Sequence, residues 1–269
     1  MAFSIVTWNI NSVRLRMPIV QQLLKLWQPD ILCLQETKCP NDQFPHTAFR
    51  KLGYEHIAAH GQKGYHGVAT ISRHPFAAEA EWLEFCDMGD TRHMSTRHDI
   101  PGIAGPVLLH NFYVPAGGDE PDIVKNPKFD HKLKFLDEMS GHFGARFRDE
   151  RNIVVGDLNI APSEHDVWSH KQLLKVVSHT PVEVERLAEV FNSGGFVDLV
   201  RQHFPEPERL YSWWSYRSRD WEASNRGRRL DHIWSHPDVA QHLSSIDILS
   251  EARGWQKPSD HVPIRAVFG

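Results

Sequence analysis

The chain has no apolar run approaching the length a membrane-spanning helix requires, and its opening MAFSIVTWNIN has neither a basic stretch nor a small-residue cleavage site. Neither a membrane protein nor a secreted one is expected, and the location read from the sequence is cytoplasmic. Cysteine is scarce: Cys33, Cys39 and Cys86 are an odd number with no C-x-x-C spacing, which argues against a disulfide framework and against a zinc ribbon. An excess of positive charge is missing too. With 30 Lys and Arg against 34 Asp and Glu the net charge is −4, so binding to a polyanion has to rest on local charge. There is no solenoid-length repeat and no low-complexity tract. What remains, 41% hydrophobic and 24% charged over 269 residues, is the composition of a globular protein with a large core. No linker divides it, and residues 1–269 are read as one domain, a monomer needing no obligate protein partner.

Local charge is uneven. From Arg209 to Arg229 the chain carries Arg209, Arg217, Arg219, Arg226, Arg228 and Arg229 against Asp220 and Glu222, interleaved with Tyr211, Trp213, Trp214, Tyr216 and Trp221. A basic, aromatic stretch suits phosphates and exposed bases. Elsewhere, short β-branched runs alternate with amphipathic ones. Phe3 to Trp8, Ile31 to Leu34, Gly67 to Ile71, Val107 to Val114, Ile153 to Val155, Leu230 to Trp234, Ile246 to Leu249 and Val262 to Phe268 read as strands. A helix is expected after Asn11, with Pro18 in its first turn and Pro29 ending it. Others are expected over Lys132 to Phe147 and Pro181 to Phe191. The alternation gives an α/β class, and several connections too short for helical crossovers make the sheets mixed.

Three carboxylates stand where such runs meet turns: Glu36 after ILCLQ, Asp157 after NIVVG, and Asp260 before VPIRAVF. Ionised carboxylates are costly to gather unpaired, so if these converge they need a cation, and hard oxygen donors favour Mg²⁺ or Mn²⁺ over zinc. Singly, each is more often a solvated loop residue or a cap. In Gly156-Asp157-Leu158-Asn159 an acid and an amide leave a strand together, one able to hold a water and the other a phosphate oxygen; the competing reading is an Asx turn. Asp260-His261 and Leu230-Asp231-His232 offer an imidazole and an acid to orient it. With 18 histidines in the chain, His261 is credible only through such neighbours.

Nine segments in order carry a resemblance. They are TWNINSVR (7–14), QETK (35–38), KGYHGVA (63–69), NFYVPAGG (111–118), KF (128–129), GDLNIAPSEHDV (156–167), YSWWSYRS (211–218), NRGRRLDHI (225–233) and PSDHVP (258–263). Through them the chain resembles exonuclease III and the related abasic-site endonucleases over nearly its full length. The resemblance implies a four-layer α/β/β/α sandwich of two packed mixed sheets and a Mg²⁺-dependent DNA-repair phosphodiesterase acting on double-stranded DNA at abasic sites, nicks or 3′ ends. It further implies that Asn9 and Glu36 are the metal-site pair, with Asp260 joining directly or through water and Asp157, Asn159 and His261 also counted among the metal-site residues. Asp157 would activate water, Asn159 and His261 would hold the phosphate, Asp231 would steady His261, and Tyr113 would contact the phosphate or assist its leaving oxygen. Either Asp157 or His261 could act as base; Asp157 is favoured. Lys128, Trp213, Trp214, Arg217 and Arg226 would lie along the DNA, the competing reading for either tryptophan being core packing. Two positions depart from the family pattern. Trp168 stands where a small or modest polar residue is common, and an indole there would narrow the space for a flipped-out sugar, favouring 3′ trimming over internal incision. Ala116 replaces a longer polar side chain.

Two rival readings stand beside this one. The same sandwich hosts phosphoinositide phosphatases, sphingomyelinases and pancreatic deoxyribonuclease I, so fold alone does not choose the substrate. A DNA-binding module that does not cut would lack one of the site groups, and all are present.

Overall fold

The computed structural model describes residues 2–269. Among the described residues eleven strands form two mixed sheets. The first contains β1 (Phe3–Asn9), β2 (Ile31–Gln35), β3 (His56–Gln62), β4 (Tyr65–Ser72), β10 (Leu243–Ile248) and β11 (Ile264–Phe268), in the order β10-β11-β1-β2-β4-β3. The second contains β5 (His93–His98), β6 (Val107–Tyr113), β7 (Asn152–Asp157), β8 (Val197–Asp198) and β9 (Asp231–Ser235), in the order β5-β6-β7-β9-β8. Each sheet has one parallel pair, β1 with β2 and β6 with β7, and every other pairing is antiparallel. A helix makes each parallel crossover, Val13–Trp27 in the first sheet and Pro127–Gly144 in the second, because parallel neighbours cannot be joined by a tight turn.

The period-2 alternation of the strands sorts their side chains into layers. Phe3, Ile5, Ile31, Cys33, Val107, Leu109, Ile153, Val155, Ile264 and Ala266 fill the space between the sheets. Their neighbours Val6, Trp8, Leu32 and Leu34 turn outward onto Ile19, Val20, Leu23 and Leu24 of the first helix. Leu108, Phe112 and Val154 turn onto Phe135, Leu136, Met139 and Leu187 of the second helix and of helix Pro181–Ser193. The result is helix, sheet, sheet, helix, as the resemblance implied. Among the described residues no helix is long and apolar enough to cross a membrane.

Several elements differ from the expectation. The first helix begins at Val13, fixed there by the Ser12 and Val13 amides donating to the Glu36 and Thr37 carbonyls, so Pro18 lies inside it rather than in its first turn. The helix expected from Lys132 starts five residues earlier, where the Asn126 side chain caps it and Pro127 takes the first position, and it ends at Gly144. β3 and β5 were not expected at all. HIAAHGQ is of mixed polarity and HMSTRH is polar, and β5 is nevertheless buried at His93, Ser95, Thr96 and His98; His93, Thr96 and Nε2 of His98 hydrogen-bond inside the protein, while Nδ1 of His98 has no partner among the described residues.

Candidate active site

Register brings the chemistry to one rim. Pairing of β1 with β2 sets Asn9 opposite Gln35, one residue before Glu36. In the second sheet Tyr113 pairs with Asp157, and Asp157 with Asp231. The two parallel pairs thus end at the same edge of the sandwich, each delivering polar residues as its apolar run stops. Gly156 permits the close approach of β7 to β6: its φ is 137°, and a Cβ there would lie 2.0 Å from the Phe112 carbonyl oxygen. Glu36 (φ 49°) and Asn159 (φ 55°) are held in the left-handed region, which L side chains rarely adopt and which is a form of strain found at functional sites.

Below the rim the sheets are tied by a buried polar contact. Gln35 Nε2 donates to Asn111 Oδ1 (2.7 Å) and to Thr7 Oγ1 (3.0 Å), while Asn111 Nδ2 donates to the Leu34 and Ala69 carbonyls. Sequence reading assigned no role to Gln35 or Asn111, although both fall within matched segments. They fix the separation of the two sheets directly beneath the groups that must converge.

At the rim, Asn9 Nδ2 donates to Glu36 Oε1 (2.9 Å) and to Asp157 Oδ2 (2.8 Å), so two carboxylates from different sheets meet at one nitrogen. Asn9 is fully buried and its Oδ1 accepts from the Asn11 amide. In this arrangement it clamps the acids together rather than offering oxygen to the cleft. Asn159 donates from its backbone to Asp157 Oδ1 (2.9 Å) and from Nδ2 to Asp157 Oδ2 (3.0 Å). His261 stands with Nδ1 2.8 Å from Asp231 Oδ2 and Nε2 3.6 Å from Asp157 Oδ2. Its loop is pinned by Ser259 Oγ donating to the Asn9 carbonyl and by Trp8 Nε1 donating to its own. Asp260 accepts from Asn11 Nδ2 and Trp213 Nε1. Lys38, also unassigned from sequence, lies 2.8 Å from Glu36 Oε2. Tyr113 completes the wall, its ring 4.9 Å from the Arg92 guanidinium.

Electrostatics separate these groups. Burial alone would lower the His261 pKa, but Asp231 and Asp157 outweigh it and hold the imidazole well above its ordinary range, hence protonated. Burial, reinforced by Asp231 and Glu36, pushes Asp157 upward against the pull of His261. The Tyr113 phenol is driven well above its usual value, by burial first and then by Glu36 and Asp157, so it remains a donor. For Asp260, burial works upward, but His261, Asn11 and Trp213 keep the carboxyl below its ordinary value.

A cleft of about 860 Å³ opens over these groups, lined by Glu36, Tyr113, Asp157, Asn159, Asp260 and His261 on one side and by Trp168, Trp213, Arg217, Arg226 and Arg228 on the other. The Arg226 guanidinium lies 4.7 Å from the Trp168 ring centroid and that of Arg228 5.2 Å from Trp213. Lys128 is exposed at the start of its helix and outside the cleft lining. Two expectations are corrected here. Trp214 is a core residue, 4% exposed, its Nε1 donating to Asn225 Oδ1 and its ring edge-on to Tyr211 and Trp221, so it offers DNA no face. Arg229, counted in the basic stretch, is 1% exposed and bound to Asp166 and Asp198. A charge in sequence does not say which way it faces.

Asp157, Asp231 and His261 each bring one potential ligand atom within 4.8 Å of the others, and Oδ1 of buried Asp231 has no hydrogen-bond partner among the described residues. An orphaned carboxylate oxygen beside clustered acids fits a nearby cation. Acids, amides and one oriented imidazole, gathered where the strands of two packed sheets end, define a phosphoester-hydrolase sandwich. The chain belongs to the Endonuclease/Exonuclease/phosphatase family, whose model matches residues 6–261. Within it the chain is a hydrolase of the exodeoxyribonuclease III type, in the exonuclease III and abasic-site endonuclease group. It is 30% identical to Exodeoxyribonuclease III of Haemophilus influenzae over 98% of both chains. Among solved structures it is similar to an AP endonuclease from Archaeoglobus fulgidus (TM-score 0.88, 31% identity, 99% of both chains). It is equally similar to a 3′ phosphatase from Neisseria bound to a product DNA hairpin (TM-score 0.88, 30% identity, 99% of both chains).

Proposed function

We propose that the chain is a Mg²⁺-dependent DNA-repair phosphoesterase that processes 3′ ends, acting as one catalytic unit over residues 1–269. The observation that carries this reading is the meeting of Glu36 and Asp157, from different sheets, at one Asn9 nitrogen beside a protonated His261. Its oxygen-rich donor set suits Mg²⁺, or Mn²⁺ in its place, which Glu36 and Asp157 would hold with Asp260 or Asp231 completing the set. A bound divalent cation would supply charge stabilisation at the phosphoryl oxygens.

The remaining work falls to this chain's own groups. Asp157, held at the cleft floor by the Asn9 and Asn159 amides, accepts the proton of the attacking water. His261, protonated and oriented by Asp231, donates to a phosphoryl oxygen, an interaction that strengthens as charge builds in the transition state. The Asn159 amide, expected on the phosphate, instead spends its hydrogens on Asp157 and the Val114 carbonyl and so holds Asp157 in place. Tyr113, kept protonated, donates toward the phosphate or leaving oxygen. Arg217 and Arg226 attract the backbone along the cleft, and Trp213 flanks the sugar. A solved neighbour of similar fold holds a product DNA hairpin, which supports DNA over a phosphoinositide or a sphingolipid. Retention of every acid, amide and imidazole supports an enzyme over a non-cutting DNA-binding module.

Trp168 sets the balance among activities. Its half-buried indole lines the cleft, braced by its own amide donating to the Gly227 carbonyl and by the Arg226 guanidinium over its ring. A fixed indole there takes up space that a flipped-out abasic sugar would occupy, whereas a terminal 3′ phosphate needs less room. Parallel assays with Mg²⁺ on a nicked duplex bearing a 3′ phosphate, a blunt duplex and an abasic duplex test this. The nicked and blunt substrates are expected to turn over well and the abasic one poorly, with Trp168→Gly raising abasic incision by roughly 10-fold or more, the scale of a steric block worth about 1.4 kcal/mol. Efficient abasic incision by the wild type, unchanged in the variant, would remove the role given to Trp168. Phosphoinositide turnover exceeding DNA turnover would remove the substrate assignment.

A further inference from the structure

Lys132 is fully buried on the helix Pro127–Gly144 and does not line the cleft, yet it reaches two residues that do. Its Nζ donates to Glu183, to the Asn159 carbonyl at 2.9 Å and, at 3.4 Å, to the Ala116 carbonyl. Among the described residues no other donor reaches either carbonyl. Asn159 needs such a donor because its left-handed φ of 55° takes its carbonyl out of any strand or helix ladder while burial keeps water away.

Glu183 is saturated as well. It accepts from the Ser178 and Thr180 amides and from Thr180 Oγ1, which fixes the Val177-Ser178 wall of the cleft. The loop on the opposite side lies directly on the lysine stem, where a Cβ on Gly117 would come within 2.8 Å of Lys132 Cδ. A buried ion pair is a weak source of stability, since apolar residues of the same volume commonly serve a fold as well or better. What apolar residues could not supply is a donor for the Asn159 peptide, whose own amide groups grip both oxygens of Asp157.

We infer that Lys132 is a positioning residue for phosphoester hydrolysis: by holding the Asn159 carbonyl from below, it fixes the Asn159 amide against Asp157 and so sets where water and phosphate meet. This rests on the reading of Asp157 and Asn159 given above. Lys132 touches neither substrate nor the reacting atoms, so its loss acts on turnover through geometry. A displacement of the order of an ångström at reacting groups lowers rate steeply.

The test is a set of variants assayed for 3′-phosphate release from a nicked duplex, with thermal melting alongside. Lys132→Met with Glu183→Gln removes both charges and the lysine donor but leaves an oxygen for the Ser178 and Thr180 groups; it is expected to lower the melting temperature while kcat, measured at 20 °C where the variant is folded, falls roughly 10- to 100-fold and KM stays within about threefold. A pair that restores a donor, Lys132→Gln with Glu183→Gln, is expected to recover part of that loss, and it keeps the test alive if the Lys132→Met pair does not fold. Met139→Ala, a cavity in the same helix away from the cleft, is the control: lower melting temperature, unchanged kcat at 20 °C. Wild-type kcat in either paired variant, or kcat that merely follows melting temperature across all three, would overturn the inference. Failure of the functional reading looks different: the wild type itself would release no phosphate, or Asn159→Ala would turn over normally.

Discussion

Asp157→Asn is expected to lower kcat by about 10²- to 10⁴-fold, the range for loss of a positioned proton acceptor, while affinity for a nicked duplex stays within a few-fold or tightens slightly. Asp157 is 1% exposed, and its oxygens already receive three donors, the Asn9 amide and both amide groups of Asn159. An asparagine of the same shape keeps the volume but turns one acceptor into a donor facing Nδ2 of Asn9 and of Asn159. The variant loses both the proton acceptor and the geometry around it. DNA affinity survives because Arg217 and Arg226 lie along the cleft rather than on Asp157, and removing a negative charge does not repel a phosphate. Single-turnover rates beside anisotropy titrations with the same duplex check the split. Turnover within threefold of wild type would remove Asp157 from the chemistry.

The second large effect is on stability in acid. His98, His110 and His232 are buried so that their pKa falls to about 4, and His93 is held well below its ordinary value, burial being the first cause in every case. The contacts fix three of them as neutral tautomers. The Leu83 amide donates to His93 Nδ1, so Nε2 of His93 carries the proton given to His110 Nδ1, and Nε2 of His110 in turn donates to Asn152 Oδ1. Arg229 likewise donates to His232 Nδ1, and His232 Nε2 donates to the Ile160 carbonyl. Each such histidine is neutral when folded and takes up a proton near pH 6.5 when unfolded. Its stabilisation is complete above that value and is lost as pH falls from 6.5 toward 4. Asp157, pushed upward on folding, offsets roughly one of these protons, and His261, whose pKa is also raised on folding, offsets a smaller part near pH 7. The expected loss between pH 7 and pH 5 is roughly 4–7 kcal/mol, comparable to the whole stability of many domains. Urea titrations at pH 7, 6 and 5 measure it, and calorimetry at pH 5 in two buffers should show net uptake of about three protons on unfolding, falling toward zero at pH 7. A free energy of unfolding that does not change across this range would contradict the neutral assignment.

The sequence revealed those parts of the molecule whose physics is local. Apolar strands such as ILCLQ and NIVVG announce themselves by composition, and the acid or amide that follows each marks a rim. Hence Glu36, Asp157, Asn159 and Asp231 could be named in advance, and the structure brings them together. β5 could not be read, because HMSTRH is buried through hydrogen bonds such as those of His93 to residues 10 and 17 positions away. Direction was equally hidden: Trp213 and Trp214 are adjacent in sequence, yet one lines the cleft and the other is core. Arg229 sits among exposed arginines and is itself buried because Asp166 and Asp198, 63 and 31 residues earlier, close on it. Lys132 reads as an ordinary helix cation until Glu183 and the Asn159 carbonyl are found around it. In each case a side chain's role was set by a tertiary partner that no spacing rule supplies.

The central claim is that Glu36 and Asp157 hold a divalent cation where the two sheets meet and that hydrolysis depends on it. Calorimetric titration of chelator-treated protein with Mg²⁺, followed by phosphate release from the nicked duplex on the same sample, tests it most directly. The expected result is no release before Mg²⁺ is added, full release after, and loss of both binding and release in Glu36→Ala. Release that persists in excess EDTA, or undiminished Mg²⁺ binding and turnover in Glu36→Ala, would contradict it.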